Sequence, residues 1–390
     1  MKKRLIYFDN AATSHPKPGE VVRAMVHFME DVGANPGRSG HRLSIEAGRV
    51  IFEARERICQ LFGVRDPSRA IFGPNATEAI NQGLQGLLRP GDHVITSSME
   101  HNSVMRPLRA MEKEGLKVSV IPCSPEGFLN PADVRKSVRK STRMVILNHA
   151  SNVVGTLQPL SEVGGICRER GVLLFVDAAQ TAGAVPINVE RGKIDLLAFT
   201  GHKALFGPQG TGGLIFGERV DEKKIVPIKR GGTGSRSESE EQPDFLPDLC
   251  ESGTPNAVGL AGLLAGLDFI LKVGVEKIRE HERRLTENLL RGLREIPGVL
   301  VYGPADARKQ VCTVSFNIRG MACSEAGLRL DEHFGILCRI GLHCSPSSHR
   351  TIGTFPEGTV RFSLGYLNHE GEVEEALSAV AQLAGEKGRG

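Results

Sequence analysis

The chain has 390 residues, 40% of them hydrophobic, which is enough to bury a large core and amounts to two or three domains' worth of chain. Lys and Arg number 49 against 45 Asp and Glu, and the formal charge of +4 is spread along the chain, not gathered into basic tracts with interleaved aromatics, so nucleic acid is not an expected partner. Eight cysteines with no C-x-x-C pair and no metal spacing with histidine, in a chain too large to need disulfides, point to reduced thiols in a cytoplasm and to no metal site.

The start is basic over residues 1–4, but only Leu5, Ile6, Tyr7 and Phe8 follow before Asp9 and Asn10, so no apolar signal core forms and export is not expected. Short apolar runs then recur at residues 70–72, 93–97, 118–122, 144–148, 172–176 and 196–199, separated by helix-length segments. Hydrophobicity that is continuous within each run predicts strands covered on both faces, as in a mainly parallel sheet flanked by helices. The first two thirds therefore read as α/β. Ligands collect at the carboxyl ends of such strands, and these ends carry Gly73-Pro74-Asn75, His101, Asn152, Asp177 and Thr200.

Residues 229–244, KRGGTGSRSESEEQPD, are polar, glycine-rich and aperiodic: a mobile linker, or in a dimer a segment reaching a neighbour's active site. The apolar stretch 257–273 is interrupted by glycines, Asp268 and Lys272; it falls short of a bilayer span and reads as a buried helix. From about residue 259 two long helical segments, strand-like pieces near 311–316, 335–340 and 359–363, and a last helix from His369 suggest a smaller α+β domain. No internal repeat appears.

Three local signals carry chemistry only in combination. Residues 73–80, GPNATEAI, follow a strand and open a helix, whose free N–H groups with the Thr77 hydroxyl suit a phosphate, although Thr77 alone could be a helix cap. Asp177 follows a buried strand, where a lone Asp is usually a turn residue. Lys203, in Thr200-Gly201-His202-Lys203, stands at the mouth of the sheet instead of on a helix face. A lysine to form an imine, a carboxylate to keep a pyridine nitrogen protonated and donors for a phosphate are the parts that pyridoxal-phosphate (PLP) chemistry requires.

The ordered motifs Asp9-Asn10-Ala11-Ala12-Thr13-Ser14, Ala76-Thr77-Glu78-Ala79, Glu100-His101-Asn102-Ser103, Ser151-Asn152-Val153-Val154-Gly155, Val176-Asp177-Ala178-Ala179-Gln180 and Gly201-His202-Lys203 resemble the class V aminotransferases. Within that family they are similar to cysteine desulfurases and selenocysteine lyases over nearly the whole chain. The resemblance implies the fold type I PLP-dependent transferase architecture: a large α/β domain over residues 15–258 with a mainly parallel seven-stranded sheet, and a smaller α+β domain made of residues 1–14 and 259–390. It implies that Lys203 carries PLP as a Schiff base, that Asp177 pairs with the pyridine nitrogen, and that His101 stacks on the ring. Gln180 would bond the phenolic oxygen with Asn152 beside it. Ala76, Thr77, Thr200 and His202 would hold the phosphate, and Thr233 in the glycine-rich segment would reach the phosphate of a partner subunit, which makes a homodimer with shared active sites.

In the smaller domain Arg339-Ile340-Gly341-Leu342-His343-Cys344 resembles the segment bearing the nucleophilic cysteine of group II desulfurases. A neighbouring imidazole and an exposed Ser345-Pro346-Ser347-Ser348 loop would favour the Cys344 thiolate. Arg361 resembles the arginine that binds the substrate carboxylate, with Asn152 and Ala12 beside the substrate; a structural salt bridge is the other reading of Arg361. The activity implied is L-cysteine desulfurase, with a persulfide on Cys344 passed to an acceptor protein or small thiol. The alternatives are selenocysteine lyase, acting on L-selenocysteine, and another class V reaction. Leu342, where many group II enzymes have a second histidine, and the divergent stretch 347–353 are the departures from the pattern.

Overall fold

A computed structural model of the protein describes residues 5–36 and 40–387. The chain runs through β1 (Ile6–Tyr7), α1 (Gly19–His27), α2 (Arg42–Phe62), β2 (Ala70–Gly73), α3 (Ala76–Leu87), β3 (His93–Ser97), α4 (Asn102–Lys113) and β4 (Lys117–Ile121). It continues through α5 (Pro131–Ser137), β5 (Thr142–Asn148), α6 (Leu160–Arg170), β6 (Leu173–Asp177), β7 (Leu196–Thr200) and β8 (Gly212–Phe216). The remainder comprises α7 (Ala257–Val273), α8 (Val275–Glu295), β9 (Val299–Tyr302), β10 (Thr313–Ile318), α9 (Cys323–Phe334), β11 (Ile336–Leu337), β12 (Arg339–Gly341), α10 (Pro346–Thr351), β13 (Thr359–Ser363) and α11 (Glu370–Lys387).

The large sheet has seven strands in the order β2-β8-β7-β6-β5-β3-β4, and only β8 runs against its neighbours. Strands β3, β7 and β8 are buried at every position, which is why their hydrophobicity is continuous and not alternating. Phe175, Phe199 and Phe216 are fully buried in this layer, each contributing roughly 1.5–3 kcal/mol of transfer free energy. All strands but β8 end on the same edge, so β5 delivers Asn148, β6 Asp177 and β7 Thr200 to one rim.

The smaller unit holds the antiparallel sheet β12-β13-β10-β9 and the parallel pair β1-β11. The expected single strand over 335–340 divides because β11 pairs with β1 while β12 pairs with β13. Ile6 and Phe8 share one apolar cluster with Phe316, Val360 and Phe362, which ties the N-terminal segment to this unit. Leu260, Leu263, Leu267 and Ile270 of α7 instead join the cluster under the large sheet with Phe199 and Leu205. We therefore propose that the division falls near Gly274, between α7 and α8, one helix beyond the expected boundary at 258/259. Among the described residues no single helix is long and apolar enough to cross a membrane; α7 and α8 pass such a test only as a pair bent by 82°.

Candidate active site

A cleft of about 220 Å³ lies where the rim of the large sheet meets the small domain. On its large-sheet side, Asn75 caps α3 by accepting the Glu78 N–H at 3.0 Å. The cap is thus Asn75 and not Thr77, whose hydroxyl is left in the cleft, 2.7 Å from Ser103 Oγ. Ala76 and Thr77 line the cleft at the start of a twelve-residue helix, where free N–H groups and the helix dipole favour an anion. Thr200 and His202 line the same side. The His202 Nδ1 is buried without a protein partner, and burial pulls this imidazole down to about 4, so it is neutral at physiological pH.

His101 caps α4, its Nδ1 accepting the Ser103 N–H at 3.0 Å. With Nδ1 an acceptor, the neutral ring carries its proton on Nε2. Burial first, then Lys203 and Arg339, hold its pKa near 4. Asp177, 5% exposed, accepts the Ala179 N–H at 2.9 Å through Oδ1 and faces the cleft. Burial raises its pKa above the ordinary carboxylate value, against the Ala179 N–H and Lys203. Burial also lowers Lys203 to about 8, opposed by Asp177 and assisted by Arg361 and Arg339.

The backbone around Lys203 is fixed from the N-terminal segment. The His202 carbonyl accepts from Ser14 N at 3.0 Å, Thr13 Oγ1 at 3.0 Å and Lys17 Nζ at 2.7 Å, and Ser14 Oγ donates to the Lys203 carbonyl at 2.8 Å. Gln180 Nε2 donates to the Ala11 carbonyl at 3.2 Å, and Ala12 lines the cleft beside it.

The small domain closes the other side. Arg361, 2% exposed on β13, donates from Nη2 to Asp9 Oδ1 at 2.7 Å and from Nη1 to the Asn152 carbonyl at 2.8 Å. The salt-bridge reading is therefore real in the resting protein, while the buried Nε has no partner. Asn152 lines the cleft, yet its amide is committed to the cysteine-bearing turn: Nδ2 donates to the His343 carbonyl at 2.6 Å and Oδ1 accepts from Ser345 Oγ at 2.8 Å. The loop carrying Asn152 seats closely on β10, since Gly155 has φ +74° and an added Cβ would lie 2.7 Å from the Thr313 carbonyl.

Cys344 is exposed at the cleft, but its surroundings differ from the expected exposed loop with an activating imidazole. Ser345 and Ser348 are fully buried, and α10 starts at Pro346, a favoured first helical residue. His343 is buried, bonded to Thr359 Oγ1 at 3.0 Å, and burial and Arg361 hold its pKa near 2, so it presents no positive charge to the sulfur. Arg361 and Arg339 line the cleft with Cys344.

The cleft thus gathers every expected site residue except Thr233, which lies in the 229–244 loop outside it and bonds Ser235. Arg339 and Asn148 also line it without having been singled out. Arg339 is the register partner of Arg361 across β12 and β13, and the arginine opening the cysteine motif was its only sequence signal. Asn148 is the last residue of β5, with Oδ1 buried and unpartnered. Among the described residues no group of three or more His, Cys, Asp or Glu side chains could hold a metal.

Comparison with known proteins agrees with this geometry. The family model of the class-V aminotransferases matches residues 6–376. A probable cysteine desulfurase of Methanothermobacter thermautotrophicus is 34% identical over 385 residues, covering 97% of this chain and 95% of that protein. One of Pyrococcus abyssi is 35% identical over 392 residues, covering 98% and 95%. The apo structure of the cysteine desulfurase from Thermococcus onnurineus NA1 superposes with a TM-score of 0.92 at 33% identity, covering 98% of this chain and 95% of that one. By sequence along nearly all of its length and by fold, the chain belongs to the class-V aminotransferase family, in company with its cysteine desulfurases.

Proposed function

We propose that the protein is a PLP-dependent L-cysteine desulfurase, which converts cysteine to alanine and passes the sulfur through a persulfide on Cys344. The observation that carries this reading is one cleft with Lys203 and Asp177 on the large-sheet side and Cys344 with Arg361 on the other. The donor set fits the cofactor. Ala76, Thr77, Thr200 and the unpartnered His202 Nδ1 suit a phosphate, and the buried Asp177 carboxylate suits a protonated pyridine nitrogen. Neutral His101 suits a ring face, and Gln180 keeps a second amide N–H for the phenolic oxygen. When bound through Lys203, PLP supplies an electron sink that acidifies the Cα–H of the amino acid.

The residues then divide the work. Arg361, with its free Nε, holds the substrate carboxylate beside Asn152 and Ala12. Once the amino group of the cysteine has replaced it on the cofactor, the freed Lys203 amine, which burial lowers to about 8, would be a base able to take the Cα proton close to neutrality. Asp177 holds the proton on the pyridine nitrogen. The Cys344 sulfur attacks the substrate sulfur: an S–S bond forms as the Cβ–S bond breaks, the electron pair stays with the substrate carbon, and that carbon takes a proton on the way to alanine. The persulfide then leaves on an acceptor protein or a small thiol.

Thr233, remote from its own cleft, serves the phosphate site of a second copy, so the working form is a homodimer. The exposed apolar residues Val22 of α1, Met29 of the helical segment Phe28–Val32 that continues it, and Ile45 and Phe52 of α2 support such an interface. Light scattering should give twice the chain mass. The protein works in the cytoplasm, in keeping with its free cysteines. The functional test is incubation of the purified holoenzyme with cysteine, scoring alanine, sulfide and the mass of the Cys344 peptide. Equimolar alanine and sulfur with a gain of one sulfur on Cys344 supports the reading. Turnover of selenocysteine alone would point to a selenocysteine lyase, and loss of the amino group only with an added keto acid would point to an aminotransferase.

A further inference from the structure

We infer that Ser345 is a positioning residue for the nucleophile: with Asn152 it clamps the strained turn that presents Cys344 to the cleft. The inference rests on the desulfurase reading for the role of Cys344, while the clamp itself rests on geometry. His343 and Cys344 are consecutive non-glycine residues with φ of +48° and +59°. Left-handed backbone is disfavoured for residues with a Cβ, so the turn persists only where surrounding contacts over-determine it.

Those contacts bracket the cysteine. Asn152 Nδ2 donates to the carbonyl just before Cys344, at 2.6 Å, and Asn152 Oδ1 accepts from the hydroxyl just after it, at 2.8 Å. The Cys344 carbonyl accepts from Asn102 N at 2.9 Å. The Ser345 hydroxyl determines which way the Asn152 amide faces, because only Oδ1 can accept from it and only Nδ2 can then serve His343. Ser345 is completely buried and Asn152 is 6% exposed, so water does not replace a lost partner. A helix cap would be the simpler role for a serine before Pro346, but Ser345 makes no side-chain cap bond to α10. The Asn152 carbonyl accepts from Arg361 at 2.8 Å, so the clamp is continuous with the residue that holds the substrate carboxylate.

Ser345→Ala leaves Asn152 Oδ1 unpaired and its amide free to rotate, and the turn relaxes. In the holoenzyme, single-turnover sulfur transfer to Cys344 should fall about tenfold, the effect of losing one buried hydrogen bond. The KM for cysteine and the cofactor absorbance should stay at parental values. Without substrate, Cys344 should be alkylated by iodoacetamide several-fold faster, and amide exchange across residues 343–345 should rise. A double-mutant cycle on the alkylation rate separates the clamp from general loosening: on an Asn152→Ala background, Ser345→Ala should add nothing. Parental alkylation and exchange in Ser345→Ala, or an effect of equal size on both backgrounds, would overturn the inference. Failure of the desulfurase reading shows separately, as absence of persulfide on Cys344 in the parent protein.

Discussion

The two sides of the cleft are built on opposite principles. Asp177 and Thr200 terminate strands that are buried nearly throughout, and Lys203 follows a loop whose carbonyls are held by Thr13, Ser14 and Lys17. Cys344 sits on a strained turn with its side chain exposed, held by hydrogen bonds that cross from the large-sheet loops. Proton transfer requires groups fixed to fractions of an ångström with shifted pKa values, which a buried sheet edge provides. A sulfur relay requires a nucleophile that reaches inward for substrate and outward for an acceptor, which a clamped turn at the cleft mouth provides.

Substitutions on each side should break the enzyme differently. If Lys203 is the proposed covalent anchor and base, Lys203→Ala removes both together: the absorbance band near the visible edge should vanish, and turnover should fall by at least about 10⁴-fold. Cys344→Ser should keep that band and bind cysteine, yet lose sulfur release by on the order of 10²-fold or more; parental turnover would remove the cysteine from its role. Arg361→Lys keeps the charge but loses the planar fork, so the KM for cysteine should rise about tenfold with a smaller change in kcat.

The smallest effect tests the rigid side alone. Glu100, 1% exposed beneath the rim, accepts from Ser97 Oγ at 2.5 Å and from Asn148 N at 2.8 Å, and burial raises its pKa from 4.5 to about 8. A carboxyl with a raised folded pKa contributes stability that is complete below its unfolded pKa and is lost as pH rises through the folded value. Gln mimics the neutral form, its oxygen accepting from Asn148 and its amide donating to Ser97. The advantage of Glu100→Gln should therefore grow between pH 4.5 and 8 and level off above, reaching about 2–4 °C in Tm by thermal melts at pH 9. A constant difference across that range would show that Glu100 is ionised in the folded protein.

The same contrast governs what could be read from the sequence. The rim was legible because each strand is a continuous apolar run ending in one polar residue, and Asp177, Thr200 and Lys203 follow those ends directly. Strand β8 was hidden, since its Gly212-Gly213 start continues a glycine-rich stretch that carries no strand signal, although those glycines let Asn75 and Ile71 backbone approach closely. The cysteine turn was legible only as a motif. Ser345-Pro346-Ser347-Ser348 has loop composition, and its burial comes from partners distant in the chain, Asn152 for Ser345 among them. A salt bridge of Arg361 could be expected, but its partner Asp9 could not, because the two residues lie 352 positions apart.

The most direct test of the division between a fixed proton-handling side and a clamped sulfur-handling side is to find the lysine that holds the cofactor. The holoenzyme would be reduced with borohydride, digested and mapped by mass spectrometry. A pyridoxyl adduct is expected on the peptide containing Lys203 and on no other. An adduct on Lys17, whose pKa burial also lowers to about 8, or no adduct at all, would contradict it.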